Sequence, residues 1–246
     1  MAGIGKEFIK KTRYQFLGPS EQDRGLPQPP LEQEPEADVP QIVLPAPSSL
    51  NIPAKDLREA IEHRRSLRRY SRAPLTLEEL SFLLWCTQGV RRVVPGSATF
   101  RTVPSAGARH AIETFLLVNN VQEVPEGLYR FSGLRHSLLE VSRSAGLTDQ
   151  LTAACLGQPF VKTSAVTFAW AAAVERMRWR YGERGYRYLL LDAGHVCQNL
   201  YLAAEAVGCG VCAIAAFADE AVDRLLGFDG ENRFTLYLAT VGKKWT

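Results

Sequence analysis

The sequence predicts an α+β fold, and three observations carry that prediction. Strand-like stretches follow one another at hairpin spacing, at 114–121, 127–132 and 137–141. Helical patterns are segregated from them instead of serving as regular crossovers, which argues against a βαβ alternation. One long helical pattern, 186–207, is apolar on more than one face, as expected of a helix buried at the centre of a fold or in a subunit interface.

Composition shifts near residue 54. Nine of the fourteen prolines lie between Pro19 and Pro53, amid Glu, Gln and Asp. Proline at that density sustains neither a helix nor a central strand. Residues 1–53 therefore read as a proline-rich N-terminal arm and 54–246 as the body. The arm is either a disordered tail or an ordered strap, and the spaced Leu26, Leu31, Ile42, Val43, Leu44 and Leu50 favour the strap.

In the body, 56–65 carries Leu57, Ala60 and Ile61 at helical spacing. Thr76 and Glu79 form a capping box that opens a helix over 77–88. Pro125-Glu126-Gly127 is turn chemistry between the first two strands. Thr148 is expected to cap a short helix, and the apolar run 164–173 to be a buried strand. The long helix ends at Gly208, where a C-terminal glycine belongs. A strand over 212–217, a helix capped by Asp219 and a last strand over 234–241 complete the chain.

The bulk numbers exclude several classes. With 246 residues, 46% hydrophobic and 22% charged, the chain is long enough for a sizeable core. Its best apolar run, 165–174, is far shorter than the ~18 residues a membrane helix needs. Residues 1–11 lack the apolar segment of a secretory signal. A net charge of +3, from 29 basic and 26 acidic residues, is too balanced for a protein that lives on nucleic acid. Five cysteines are an odd number in a chain with its own core, so a disulfide scaffold is not expected. These observations point to a cytoplasmic, globular protein.

Two motifs mislead. Gly208-Cys-Gly-Val-Cys-Ala213 fits the dinucleotide fingerprint, but it ends a helix and opens a strand, the reverse of what a pyrophosphate site requires. Cys209-x-x-Cys212 sits where a helix ends, not at the helix N-terminus that activates a thiol. The four histidines are scattered, so no zinc set forms around it. Small packed residues account for both.

Other clusters are more promising. Arg64, Arg65, Arg68 and Arg69 surround Ser66 where a helix ends, and they could hold a phosphate by charged, bidentate hydrogen bonds. Composition alone favours a solvated basic face or compensation of charge at a helix C-terminus. Lys243 and Lys244 follow the last strand, either to join that phosphate or as a solvated tail. Pro104-Ser-Ala-Gly107 is a small-residue turn that a flat ring can approach. The stretch 179–188 interleaves aromatics with arginines, as suits ring stacking or plain core packing.

Taken in order, Arg64-Arg-Ser-Leu-Arg68, Pro104-Ser-Ala-Gly-Ala-Arg-His110, Gly127-Leu-Tyr-Arg130, Arg184-Gly-Tyr-Arg-Tyr188, Ala193-Gly-His195 with Gln198-Asn199, and Cys212-Ala-Ile-Ala-Ala-Phe217 resemble the FMN-dependent nitroreductase family. The nearest branch is the SagB-type thiazole/oxazole (azoline) dehydrogenases. The resemblance spans about 54–244 and implies a nitroreductase-like fold: a mostly antiparallel sheet flanked by helices, a buried central helix, and a homodimer with FMN at each subunit interface. By that resemblance Arg64, Arg65, Ser66 and Arg68 bind the phosphate, joined by Lys243 or Lys244. Pro104, Ser105, Ala106 and Gly107 lie against the isoalloxazine, usually donated by the other subunit. The backbone of Ala213, Ile214, Ala215 and Ala216 passes the ring.

Two departures are visible. Ala111 stands where the family has proline, and Arg180-Tyr181 stands where azoline dehydrogenases have Lys-Tyr. Arginine stays protonated where lysine titrates, so Tyr181 becomes the candidate proton carrier and Arg180 its electrostatic partner. The expectation is an FMN oxidoreductase acting on a small molecule or peptide azoline, with NAD(P)H as one candidate electron donor. A non-catalytic flavin-binding or scaffold subunit of a peptide-modifying complex is the alternative.

Overall fold

The computed structural model describes residues 3–35 and 38–245. Its centre is a seven-stranded sheet built from β1 (Gln41–Val43), β4 (Ile112–Val118), β5 (Gly127–Ser132), β6 (Ser137–Ser142), β7 (Val166–Ala173), β8 (Cys209–Ile214) and β9 (Arg233–Lys243). The spatial order is β1-β6-β5-β4-β7-β9-β8, and every pairing between these strands is antiparallel. β4 and β7 are buried along their whole length, so both faces of the sheet centre are covered.

Each face carries its own helices. On one side lie α3 (Leu77–Gln88), α6 (Val174–Tyr181) and α7 (Gly185–Ala206), which pack Leu80, Leu84, Met177, Leu189 and Leu200 against Phe168 and Trp170. On the other side lie α4 (Leu147–Ala154), α5 (Phe160–Thr163) and α8 (Asp219–Leu226), packed on Phe115, Leu117 and Leu238. The fold is α+β, with an antiparallel sheet flanked by helices. α2 (Leu57–His63) leans on the α7 side, with Asp56 accepting from the Glu59 amide as its N-cap.

The capping box forms as read: the Thr76 hydroxyl accepts from the Glu79 amide, the Glu79 carboxylate accepts from the Thr76 amide, and α3 spans 77–88. Three local readings are corrected. Thr148 does not cap α4; that helix starts from Gly146 in the left-handed region, and the Thr148 hydroxyl donates to Asn119 Oδ1 at 2.7 Å. Asp219 is the first residue of α8, not its cap, which is Ala218. β8 begins at Cys209 and ends at Ile214, because β9 offers partners from Lys243 back to Leu238. A hairpin of β2 (Val90–Val94) and β3 (Ala98–Arg101) forms a separate two-stranded sheet.

Residues 3–35 contain α1 (Ile4–Lys11), a short 3-10 turn at Tyr14–Phe16, a hydrogen-bonded turn at 20–26 and then a stretch without regular structure along the body. The Glu32 carboxylate is buried and accepts from the Ser132 hydroxyl and the Gly133 and Leu134 amides. β1 then adds an edge strand to β6.

Candidate active site

The Arg64–Tyr70 segment runs over β8 and β9 because two glycines make room for it. A Cβ on Gly210 would come within 2.3 Å of the Leu67 side chain, and one on Gly242 within 2.6 Å of Tyr70. The Leu67 amide donates to the Val211 carbonyl at 2.8 Å. Gly210 of the apparent dinucleotide fingerprint thus serves close packing. Cys209 and Cys212 are buried and belong to the two opposite core layers, and burial pushes the Cys209 thiol up to about 12.

Within this segment the expected phosphate ligands separate. Arg64 and Arg65 line a hollow of about 600 Å³ together with Glu62, whose carboxylate pairs with Arg58, and with His63, Lys244 and Trp245. Among the described residues, neither arginine pairs with a carboxylate. Lys244 reaches the hollow while bonded to Glu205 at 2.6 Å. Lys243 turns inward to Glu79 and the Val207 carbonyl. Arg68 lies 6.0 Å from the Phe160 ring, toward the opposite layer.

Tyr201 on α7 ties this region together. Its hydroxyl bonds the Ser66 hydroxyl at 2.9 Å and accepts from the Ala213 amide at 3.0 Å, while the Arg64 guanidinium lies 5.2 Å over its ring. Ile214 is buried, and Ala215 and Ala216 are exposed beyond the end of β8, with the Ala216 carbonyl accepting from Gln158 at 2.9 Å.

The second group of expected residues assembles elsewhere. Gly107 has φ +56° and is exposed, and its neighbours Ala108 and His110 also have positive φ, at 53° and 43°. Three left-handed residues in four, two of them not glycine, mark a strained turn of the kind found at ligand clamps. A Cβ on Gly107 would fall 2.4 Å from the Tyr181 hydroxyl and 2.8 Å from Arg180 Nε. The turn and the Arg180-Tyr181 pair are therefore in direct contact. Arg180 also lies 5.8 Å from the Tyr181 ring.

Asp192 supports the turn from beneath. Its Oδ1 accepts from the Ala106 amide at 3.4 Å, while Oδ2 is buried without a partner. Burial pushes the Asp192 carboxyl up, opposed by Ser105, the Ala106 amide and His195. The Ser105 hydroxyl accepts from the His110 amide at 2.9 Å. His110 is buried, and burial together with nearby Arg101 drives its imidazole down to about 3 and keeps it neutral. Arg109 is held down first by burial and then by Arg180, so positive charge concentrates around the turn.

Asp192 and Tyr201 fix how the two groups relate. They are nine residues apart on α7, about two and a half turns, and so project from opposite faces some 13 Å apart along the axis. The turn and the arginine hollow of one chain therefore stand on opposite sides of this helix. α7 also exposes Leu190 and Leu191, at 57% and 59%, although the sequence pattern placed Leu190 inside.

The chain matches the model of the nitroreductase family over residues 61–243. It belongs to the nitroreductase family. A candidate nitroreductase of Methanocaldococcus jannaschii is 36% identical over 188 residues, 76% of this chain and 91% of that protein. The trifolitoxin-processing protein TfxB of Rhizobium leguminosarum bv. trifolii is 28% identical over 58% of this chain, which spans only 39% of TfxB. Among solved structures, a candidate nitroreductase of Ralstonia eutropha superposes with a TM-score of 0.69 at 26% identity, covering 90% of this chain and 95% of that one. One from Anabaena variabilis gives 0.68 at 28% identity, but this chain spans only 42% of it. The Escherichia coli microcin synthetase McbBCD complex gives 0.62 at 21% identity over 99% of this chain, a likeness of fold.

Two residues that organise this nitroreductase-family site, Asp192 and Tyr201, belong to none of the sequence motifs. A signal existed for the first. An aspartate beside the apolar stripe of Leu189, Ala193, Val196 and Leu200 faces the interior and must find a hydrogen-bond donor there, and a small-residue turn is where such donors are free. Tyr201 carried no signal apart from tertiary contact.

Proposed function

We propose that this chain is an FMN-dependent oxidoreductase, cytoplasmic and active as a homodimer, and that it falls near the SagB-type azoline dehydrogenases. The observation that carries the reading is the contact of the Arg180-Tyr181 pair with the left-handed Gly107 turn. The residues present fit the cofactor at both ends. Arg64 and Arg65 offer charged donors for a phosphate in a hollow shared with Lys244, and the small-residue turn from Pro104 to the exposed Gly107 offers a low edge for a ring, beside the Tyr181 hydroxyl and Arg180 that fill the place of a Gly107 side chain. The opposite placement of these two features around α7 favours a site completed by a second subunit.

FMN, when bound, supplies the hydride chemistry. The chain's own contribution is binding, orientation and proton handling. Asp192 and the Ser105 hydroxyl hold the turn, Arg109 and Arg180 bring positive charge to it, and Tyr181 places its hydroxyl where a substrate proton is given or taken. The substrate is a small molecule or a peptide azoline, and NAD(P)H is a candidate donor.

Arg180 in place of lysine supports a second reading, a flavin-binding subunit of a peptide-modifying complex without turnover of its own. Two measurements decide. Purified protein should release stoichiometric FMN, not FAD, and an electron donor should bleach its spectrum reversibly. Colourless protein that ignores added FMN overturns both readings; bound FMN with no turnover leaves the second.

A further inference from the structure

α6 carries the Arg180-Tyr181 pair, and its own apolar anchors, Val174 and Met177, lie in its first half, away from that pair. It has eight residues, four of them charged, and so short a helix is marginal by itself. The N-terminal arm grips it. Arg176 Nε donates to the Pro30 carbonyl at 2.9 Å, and the indole of Trp179 donates to the Leu26 carbonyl at 2.9 Å. The Gln22 amide donates at 2.9 Å to the Trp179 carbonyl, one of the last carbonyls of the helix, which lack an intrahelical partner. Arg176 also pairs at 2.5 Å with buried Glu113, which accepts from the Gln33 amide.

The same arm holds the chain beyond Tyr181. Arg184 donates to the Thr12 carbonyl at 2.8 Å, and Arg187 to the Thr12 hydroxyl at 2.6 Å. The Tyr14 and Tyr188 hydroxyls bond at 3.0 Å, and the Tyr188 ring meets that of Tyr181 edge-on, with centroids 4.7 Å apart. Glu32 locks the arm itself into the turn after β5. The prolines suit a strap of this kind, because they keep the backbone extended and leave carbonyls such as that of Pro30 free to accept. All of these arm residues lie before the stretch matched by the family model, which starts at residue 61.

We propose that the arm from Thr12 to Gln33 is a positioning element of the active site, clamping α6 and the start of α7 so that the Tyr181 hydroxyl stays over Gly107. This rests on the reading of Tyr181 as the proton carrier. The test uses the full chain with Trp179→Phe, which removes the indole donor, and Tyr14→Phe, which removes one hydroxyl at the surface. Amide hydrogen exchange is read on flavin-free protein and turnover per bound flavin on loaded protein.

Exchange across 174–188 should quicken about tenfold in Trp179→Phe, the worth of one hydrogen bond, and severalfold in Tyr14→Phe, while β7 stays protected. Turnover per flavin should fall with it, and neither variant should lower turnover further in a Tyr181→Phe background. Unchanged exchange over 174–188 in both variants overturns the clamp. So does faster exchange with undiminished turnover, in a chain where Tyr181→Phe does reduce turnover. If Tyr181→Phe keeps full turnover, the catalytic reading falls, and the exchange measurement alone decides the clamp.

Discussion

Replacing Gly107 by alanine separates stability from function at the turn. The methyl group would stand 2.4 Å from the Tyr181 hydroxyl, about 1 Å inside ordinary contact, and 2.8–2.9 Å from Arg180 Nε and Cδ. Both neighbours are ends of side chains, so they can move. The left-handed conformation at φ +56° costs a non-glycine residue about 1–2 kcal/mol. The fold should therefore survive with a loss of that order. On the proposal that Tyr181 carries the proton, displacing it by about 1 Å should have a larger effect, since a misplacement of that size costs roughly a hundredfold in rate, or about 2.7 kcal/mol. Chemical denaturation gives the first quantity, and turnover per bound flavin at saturating substrate gives the second. Stability lost with turnover kept would refute the placement of Tyr181 in the mechanism. A full hundredfold loss persisting in a Tyr181→Phe background would show that Gly107 acts through some other group.

Arg64→Ala should weaken FMN binding about tenfold to a hundredfold, the worth of one charge-assisted hydrogen bond, and leave riboflavin binding unchanged; equal losses for both ligands would make Arg64 structural. Cys209→Ala combined with Cys212→Ala should retain turnover per flavin with some loss of stability, because the two thiols sit in opposite core layers and burial holds both above the ordinary thiol range. Asp192 is pushed up by burial, so the native state holds its proton more tightly than the unfolded chain does, and its stability contribution is lost as pH rises from the ordinary carboxylate range through the raised value. Asp192→Asn should therefore gain stability relative to the parent over that window in denaturant titrations; a variant-minus-parent difference that stays flat or falls with rising pH would contradict the assignment.

Much of the fold was legible because local chemistry and tertiary environment agree. Thr76 and Glu79 announce α3 by the hydrogen bonds they make, and β7 reads as buried because Val166–Ala173 is apolar on both faces. The hairpin 90–101 was not legible. β2 reads Val-Arg-Arg-Val-Val with its middle residues exposed, so no alternation betrays it. α6 was illegible for the opposite reason: Arg176 fills a core-facing position where a pattern expects an apolar residue, and only the distant Glu113 and Pro30 make that tolerable. At the candidate site, the motifs mark segments of the chain but not the residues that join them. Tyr201 bridges Ser66 and Ala213, and Asp192 ties the turn to α7.

The geometry of α7 leads to the last prediction. If the arginine hollow and the Gly107 turn act on one cofactor, a single helix with Asp192 and Tyr201 on opposite faces keeps them apart within a chain. A second copy, related by a two-fold axis across the exposed Leu190 and Leu191 face, would bring its turn to the first copy's hollow. Shared sites complement each other. At an FMN concentration that fills the parental site but not the weakened one, Arg64→Ala spoils the hollow and Gly107→Ala the turn, so each variant alone has only damaged sites. In a mixed dimer one site gathers both lesions, and the other combines an intact hollow with an intact turn. Random reassociation of equal amounts makes about half the dimers mixed, each with one intact site of two, so about a quarter of parental turnover should return. Sites confined to one chain would leave the mixture at the average of its two parents, as would a chain that stays monomeric. Turnover of the unfolded and refolded mixture, compared with each variant treated alike, distinguishes these outcomes.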